Sequence, residues 1–291
     1  LREAIAGWRK AITLGYRQAA VHLMLADALS RLGDTQSAIG QLRVLVAEEP
    51  GQVEGHLHLA RLLVQTREWQ EVLAQAGDIL RLMPNHFEAM LLELQARTHL
   101  LATDRGASAP SETAWQEIET RLGQLDKASN GALPVKLLQA QVATIRGKLA
   151  DAASQLAELT RTHPTESRVL LLHAELCARQ GQDEDARARF QEAVTKFPQE
   201  FEPVRSLALF LDQRNQRAEC EAVVKEAMAR VTELRVRRDL GLVLAEFYRQ
   251  WGQEEQLGRW LNDLAAQFPG DIQPKRLLLT RAEVMNEARR A

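Results

Sequence analysis

The sequence predicts an all-α fold, a right-handed α-solenoid superhelix of stacked antiparallel helix hairpins, with about seven full hairpins and partial ones at both ends. Three observations lead to this prediction. The composition favours helices, prolines recur at a constant interval, and glycines and alanines keep fixed places between those prolines. One such hairpin cannot bury its apolar side alone, so neighbouring hairpins are expected to stack as a single domain over residues 1–291.

The composition excludes several classes of protein. Hydrophobic residues make up 45% of the chain and charged residues 26%, which is typical of a folded domain, while aromatic residues are only 5%. The formal net charge of -2 gives no general attraction to nucleic acid, so we expect no nucleic-acid partner. No uninterrupted apolar run approaches the roughly 20 residues of a membrane span. We therefore expect a soluble chain, cytoplasmic or periplasmic.

Prolines mark the ends of the predicted hairpins. Pro50 and Pro84 are separated by the same interval as Pro164 and Pro198, and that interval is one helical-hairpin repeat, about 34 residues. A proline stops the second helix of a hairpin, because it has no N–H to donate and restricts the residue before it. These prolines define four repeats of equal length, namely 19–52, 53–86, 133–166 and 167–200.

Glycines and small residues keep the same register within these repeats. Gly33, Gly147 and Gly181 coincide at the predicted turn, where glycine can adopt the left-handed conformation that ends a helix. Five residues later a small residue recurs, which lets two helices approach closely. The alanines at that place are Ala38, Ala152 and Ala186.

The remaining stretches fit the same pattern less closely. Residues 87–132 are twelve residues too long, and we place the excess in a loop near 103–111 before a helix that carries Trp115. Four further stretches are predicted as follows: 1–18 as a partial hairpin, 201–237 as a weaker one without the glycine and proline, 238–271 as a full one, and 272–291 as a terminal helix. The basic run 235–238 at one of these boundaries is expected to be a solvated turn.

Residues 167–200 resemble the tetratricopeptide repeat most closely. They carry Leu170, Ala174, Gly181, Phe190 and Pro198 at the matching places. This family has a helical hairpin of about 34 residues with small residues at the helix crossing and a closing proline. The resemblance extends over nearly the whole chain and implies a protein-binding scaffold, and the richness in alanine, glutamine and arginine suggests a bacterial protein.

The resemblance also implies which residues face a partner. In this family the first helices line a concave groove, and the fifth and ninth residues of each repeat face the bound peptide. The candidate groove residues are Leu23, Asp27, Leu57, Arg61, Leu91, Gln95, Leu137, Gln141, Leu171, Glu175, Arg205, Leu242 and Glu246. The Lys and Asn residues with which some members bind a C-terminal carboxylate are missing from these positions. A leucine stripe suits an amphipathic helix or an extended apolar segment, but such stripes are usually core, and both interpretations remain open.

The expected function is that of a scaffold or adaptor that holds a partner peptide or helix, for example in bacterial envelope, secretion or polysaccharide-export assembly. The alternative is a substrate-recruiting segment of a glycosyl- or sulfotransferase whose catalytic domain lies outside this chain. Self-association through the chain ends is a further expectation. We expect no catalytic residue, cofactor or metal, since no catalytic motif is present and the histidines are not spaced as ligands. Cys177 and Cys220 are expected to be buried apolar residues.

Overall fold

The computed structural model describes the backbone of residues 2–16, 18–103 and 112–290, and the side chains of 3–16, 18–103 and 112–282. The described residues form sixteen α-helices, which confirms the predicted all-α fold of stacked hairpins. The loop predicted near 103–111 lies outside the described residues, apart from its first residue. In chain order the helices are α1 (Arg2–Thr13), α2 (Ala19–Arg31), α3 (Thr35–Glu48), α4 (Val53–Thr66), α5 (Trp69–Leu82), α6 (Phe87–Thr103), α7 (Glu112–Ala128), α8 (Leu133–Ile145), α9 (Leu149–Thr162), α10 (Ser167–Arg179), α11 (Asp183–Lys196), α12 (Phe201–Gln213), α13 (Arg217–Arg230), α14 (Leu234–Gln250), α15 (Glu254–Gln267) and α16 (Gln273–Arg290).

The chain divides into two compact units. The first unit comprises residues 1–31 and 35–161, and the second comprises residues 32–34 and 162–291. Within the first unit the first helices of neighbouring hairpins touch, α2 with α4 and α6 with α8. Within the second unit the same contact joins α10 to α12 and α12 to α14. Short connections make consecutive helices antiparallel neighbours, so each hairpin completes the core of the next.

Wherever the structure describes the turn between the two helices of a hairpin, that turn contains a residue with positive φ. Gly33 and Gly181 have φ of 82° and 74°, as their predicted role requires. Arg67 lies one repeat length after Gly33 and has φ of 61°, and Asn215 lies one repeat length after Gly181 and has φ of 58°. The left-handed turn is therefore kept in two hairpins that have no glycine there. Asparagine tolerates this conformation, whereas arginine adopts it at a cost.

Small side chains lie where the helices of adjacent hairpins cross. Ala38, Ala152 and Ala186 are completely buried, as is Cys220 at the same place in its hairpin. Burial raises the pKa of the Cys220 thiol to about 12, so this cysteine is an inert packing residue. Cys177 is also buried. The prediction that both cysteines pack as small apolar residues is confirmed.

Each unit has its own apolar core. In the first unit, Trp115 on α7 packs with Leu94 on α6 and with Val135, Leu138 and Val142 on α8. In the second unit a continuous cluster runs from Leu170 on α10 to Leu264 on α15. No helix in the described part of the chain is long and apolar enough to span a membrane.

The prediction of a solvated turn at 235–238 was wrong. Helix α14 begins at Leu234, so the predicted boundary between 237 and 238 lies inside this helix. No proline or glycine interrupts the segment, and leucine and arginine favour helix. Arg238 is buried, with its Nε 2.9 Å from Asp239 Oδ1 and 3.5 Å from Asp271 Oδ2, so two carboxylates compensate its charge.

Candidate partner-binding surface

The fifth residues of the repeats lie on the first helices of the hairpins but differ in depth. Four of the leucines and the arginine are half-buried, namely Leu23, Leu57, Leu91, Leu242 and Arg205. Leu137 on α8 is only 3% exposed and Leu171 on α10 only 6%. These two side chains contribute mainly to the core, whereas the half-buried ones retain surface that a partner can contact.

The ninth residues lie one turn further along the same helices and therefore on the same face. Asp27, Arg61, Glu175 and Glu246 are exposed, and Gln95 and Gln141 are half-buried. On these helices a leucine at the fifth position is thus followed by a polar side chain at the ninth. Within each of the two compact units, we call the face formed by these fifth and ninth residues of the repeats the first-helix face.

In the first unit an ion pair joins two neighbouring first helices. Arg61 on α4 donates two hydrogen bonds of 2.7 Å to the carboxylate of Glu88 on α6. These hydrogen bonds raise the pKa of Arg61 and lower that of Glu88. On α2, Asp27 pairs with Arg31 at 2.9 Å. The charges at this end of the face are largely neutralised by neighbours, so its half-buried leucines dominate its character.

A second ion-pair network joins α6 to α7 in the same unit. Glu93 on α6 is buried and accepts a hydrogen bond of 2.8 Å from Arg121 on α7, and it also lies 2.9 Å from Arg97. Burial opposes ionisation of Glu93, but the hydrogen bond and charge of Arg121 outweigh it and lower its pKa. Sequence reasoning missed this network, because Glu93 and Arg121 are distant in the sequence and nothing in the repeat pattern marks them.

In the second unit the charges pair within single helices. Glu246 accepts hydrogen bonds of 2.9 Å from Arg249 and from Gln250, and the hydrogen bond from Arg249 lowers the pKa of Glu246. Arg205 lies 3.2 Å from Glu202. These pairs hold side chains along their own helix, and they leave the first-helix face of this unit more polar than that of the first unit.

The repeat geometry and the family comparison agree. Residues 23–84 and 137–201 match the family model of the tetratricopeptide repeat, which is less than half of the chain. The chain contains tetratricopeptide repeats. Most of the candidate residues of the first-helix face lie in the matched repeats. Those outside them are Leu91, Gln95, Arg205, Leu242 and Glu246.

Solved structures of other tetratricopeptide-repeat proteins resemble this one. A thermophilic protein from Thermus thermophilus is 17% identical with a TM-score of 0.53, and the match covers 69% of this chain and 97% of that one. A protein from Parabacteroides merdae is 12% identical with a TM-score of 0.47, covering 90% of this chain and 97% of the other. At so low an identity the likeness to the Thermus protein concerns the fold. No curated protein sequence matches the chain.

The described side chains of this chain of tetratricopeptide repeats include no group of three or more His, Cys, Asp or Glu residues placed to hold a metal ion. His56, for example, is buried. Its Nδ1 lies within hydrogen-bond distance of Gln75 Oε1, at 2.6 Å, and its Nε2 within hydrogen-bond distance of the carbonyl oxygen of Pro50, at 3.1 Å. The contact with Pro50 therefore links the hairpin of α4 and α5 to the end of the preceding one.

Proposed function

We propose that this chain is a non-catalytic scaffold that holds a partner peptide or helix against the first-helix face. The observation that carries the proposal is the contact between first helices of neighbouring hairpins within each unit. This contact sets the fifth and ninth residues of neighbouring repeats side by side. A row of side chains along several helices can hold an extended or helical segment, which one hairpin alone is too short to do.

The chemistry of the face supports a partner with an apolar side. In the first unit Leu23, Leu57 and Leu91 are half-buried, although each is next to a buried residue in the sequence. Exposed Asp27 and Arg61 flank them. An apolar centre with a polar edge is typical of protein interfaces, and it fits the apolar face of an amphipathic helix or an extended apolar segment.

The experiment begins with the selection of peptides of about 15 residues, roughly four helical turns, from a displayed random library on the immobilised chain. The affinity of an enriched peptide is then measured by calorimetry for the wild type and for the double variant Leu57→Asp with Leu91→Asp. We expect the double variant to bind at least tenfold more weakly, because two charges would lie in the apolar centre of the face.

The matched control is Leu14→Asp. Leu14 is 67% exposed and lies in the connection after α1, outside the fifth and ninth positions that form the first-helix face, so this variant should bind as the wild type does. Circular dichroism melts of all variants establish that they are folded. The proposal fails if the folded double variant keeps wild-type affinity, or if the control loses as much affinity as the double variant.

A further inference from the structure

The second unit contains a crevice between helices α13, α14 and α15. Its volume is about 280 Å³, close to the lower limit for small-molecule sites. Its lining residues are Lys225, Met228, Ala229, Arg237, Trp260 and Gln267. None of them belongs to the first-helix face, so the crevice has no part in the function proposed above.

Arg237 brings an uncompensated charge to this crevice. Its Nη2 donates a hydrogen bond of 2.5 Å to the carbonyl oxygen of Val231, while its Nε is shielded from solvent and has no acceptor among the described residues. No carboxylate among the described side chains forms an ion pair with it within 4.0 Å. A guanidinium remains charged at all physiological pH values, so a partly buried one favours any anion that can reach it.

The position of Arg237 follows from the length of α14. This helix has 17 residues, whereas α12 has 13, and the difference is an additional turn at its N-terminal end. Arg237 lies in that turn. In a repeat of standard length this position would lie in the connection before the helix. The arginine at this position is therefore a feature of this hairpin and not of the repeat in general.

Besides Arg237, the crevice is lined by the polar side chains of Lys225 and Gln267 and by the apolar side chains of Met228, Ala229 and Trp260. Trp260 donates from Nε1 to the carbonyl oxygen of Gly241 at 2.8 Å, which sets the orientation of the indole. Met228 is 6% exposed and forms part of the wall. Lys225 has its Nζ 5.5 Å from the centre of the Trp260 ring and 2.6 Å from Glu221, so its charge is already neutralised. A flat ring, a thioether and the guanidinium of Arg237 therefore line the same space.

A crevice at the same place in the first unit has different chemistry. It lies between α3, α4 and α5, has a volume of about 320 Å³, and includes His56, Asp78 and Arg81 among its lining residues. There the arginine is hydrogen-bonded to the aspartate three residues before it. The cation of this crevice is neutralised, so the two crevices form a natural comparison.

We propose that the crevice of the second unit binds a small organic acid, with its carboxylate on Arg237 and its apolar body against Trp260 and Met228. The carboxylate would accept charge-assisted hydrogen bonds from the guanidinium, which are about twice as strong as neutral ones. The apolar body would bury part of the indole and the methionine side chain. The ligand class follows from a cation beside the indole of Trp260 and the thioether of Met228, in a space too small for a peptide helix.

The test uses benzoate as the probe and benzamide, which has the same shape without the charge, as its control. In a two-dimensional 1H–15N NMR spectrum of the wild type, benzoate should shift the indole N–H resonance of Trp260 saturably. That resonance is assigned by its loss in Trp260→Phe. A titration to about 10 mM would saturate a site with a Kd of about 1 mM. Benzamide should cause no saturable shift.

Substitution adds a second test. Arg237→Gln should weaken benzoate binding about tenfold or more, because a hydrogen bond to a charged group is lost. Arg81→Gln at the crevice of the first unit should leave the affinity unchanged. If the Trp260 resonance of the wild type does not move, if benzamide binds as well as benzoate, or if folded Arg237→Gln keeps wild-type affinity, the proposal is wrong.

Discussion

Arg61 and Glu88 form a two-point ion pair, with both hydrogen bonds 2.7 Å long, between the first helices of two neighbouring repeats. The two side chains are 48% and 35% exposed, so solvent screens much of their attraction. The geometry holds only while α4 and α6 are stacked. The pair therefore reports on the contact between repeats rather than on the stability of a single helix.

We expect Glu88→Gln to lower the free energy of unfolding by about 0.5–1 kcal/mol at pH 7. The fold lowers the pKa of Glu88, so its contribution is present above the pKa of the unfolded chain and is lost as the pH falls through the folded value. Urea denaturation of both proteins at pH 7 and at about pH 3 measures this. Equal differences at the two pH values would contradict the assignment. Glu255→Gln, which disrupts an exposed pair within α15, serves as the control.

Arg67→Gly should raise the free energy of unfolding by about 0.5–1 kcal/mol, because arginine at φ of 61° is strained and glycine is not. The reverse change is Gly181→Ala at φ of 74°. The space around that glycine is open, so its expected loss of about 1 kcal/mol would come from the backbone alone. Thermal melts of both variants provide the measurement. A destabilised Arg67→Gly would show that the side chain matters more than the turn.

Ala152→Leu tests the close approach of helices at the crossing. Ala152 is completely buried on α9, and a leucine there has no space, so we expect a loss of about 1–3 kcal/mol. Ala157 lies on the same helix and is exposed. Ala157→Leu is the matched control and should change stability by less than about 0.5 kcal/mol. Similar losses for both would mean that helix propensity, and not packing, accounts for the small residue that recurs along the repeats of this chain.

The fifth residues of the repeats should differ in their response to charge. Leu137→Asp buries an unpaired carboxylate in the core and should cost about 3 kcal/mol or more. Leu57→Asp at a half-buried position should cost about half as much. Urea titrations of the two variants compare them directly. If Leu57→Asp were the more damaging change, Leu57 would belong to the core and not to a binding surface.

The hairpin repeat could be predicted because its prolines, glycines and alanines recur at one interval. The left-handed turns at Arg67 and Asn215 could not be predicted from a glycine, because these repeats have none at that position. The fold imposes the left-handed conformation there all the same. The only indication of these turns in the sequence is that Arg67 and Asn215 lie one repeat length after Gly33 and Gly181.

How deeply each candidate site residue is buried could not be predicted from the repeat pattern. Leu91 and Leu137 occupy the same place in their repeats, yet one is half-buried and the other is buried. Depth depends on which side chains the adjacent helices bring close, and that is set by packing between repeats. For the same reason the Arg61–Glu88 pair and the Glu93 network became visible only with the structure. The proposed role of the fifth and ninth residues in binding stays a prediction.

The additional turn at the start of α14 has a consequence for how such chains change in length. The interval from Asn215 to Gly252 is three residues longer than that from Gly181 to Asn215, and three residues are close to one helical turn of about 3.6. The turn is added at the N-terminal end of α14, so Leu240 and Leu244 keep their places in the repeat and are buried. One added residue would instead rotate the preceding face by about 100° and two by about 200°. We therefore expect insertions within these helices to be compatible with the fold only in steps close to a whole turn.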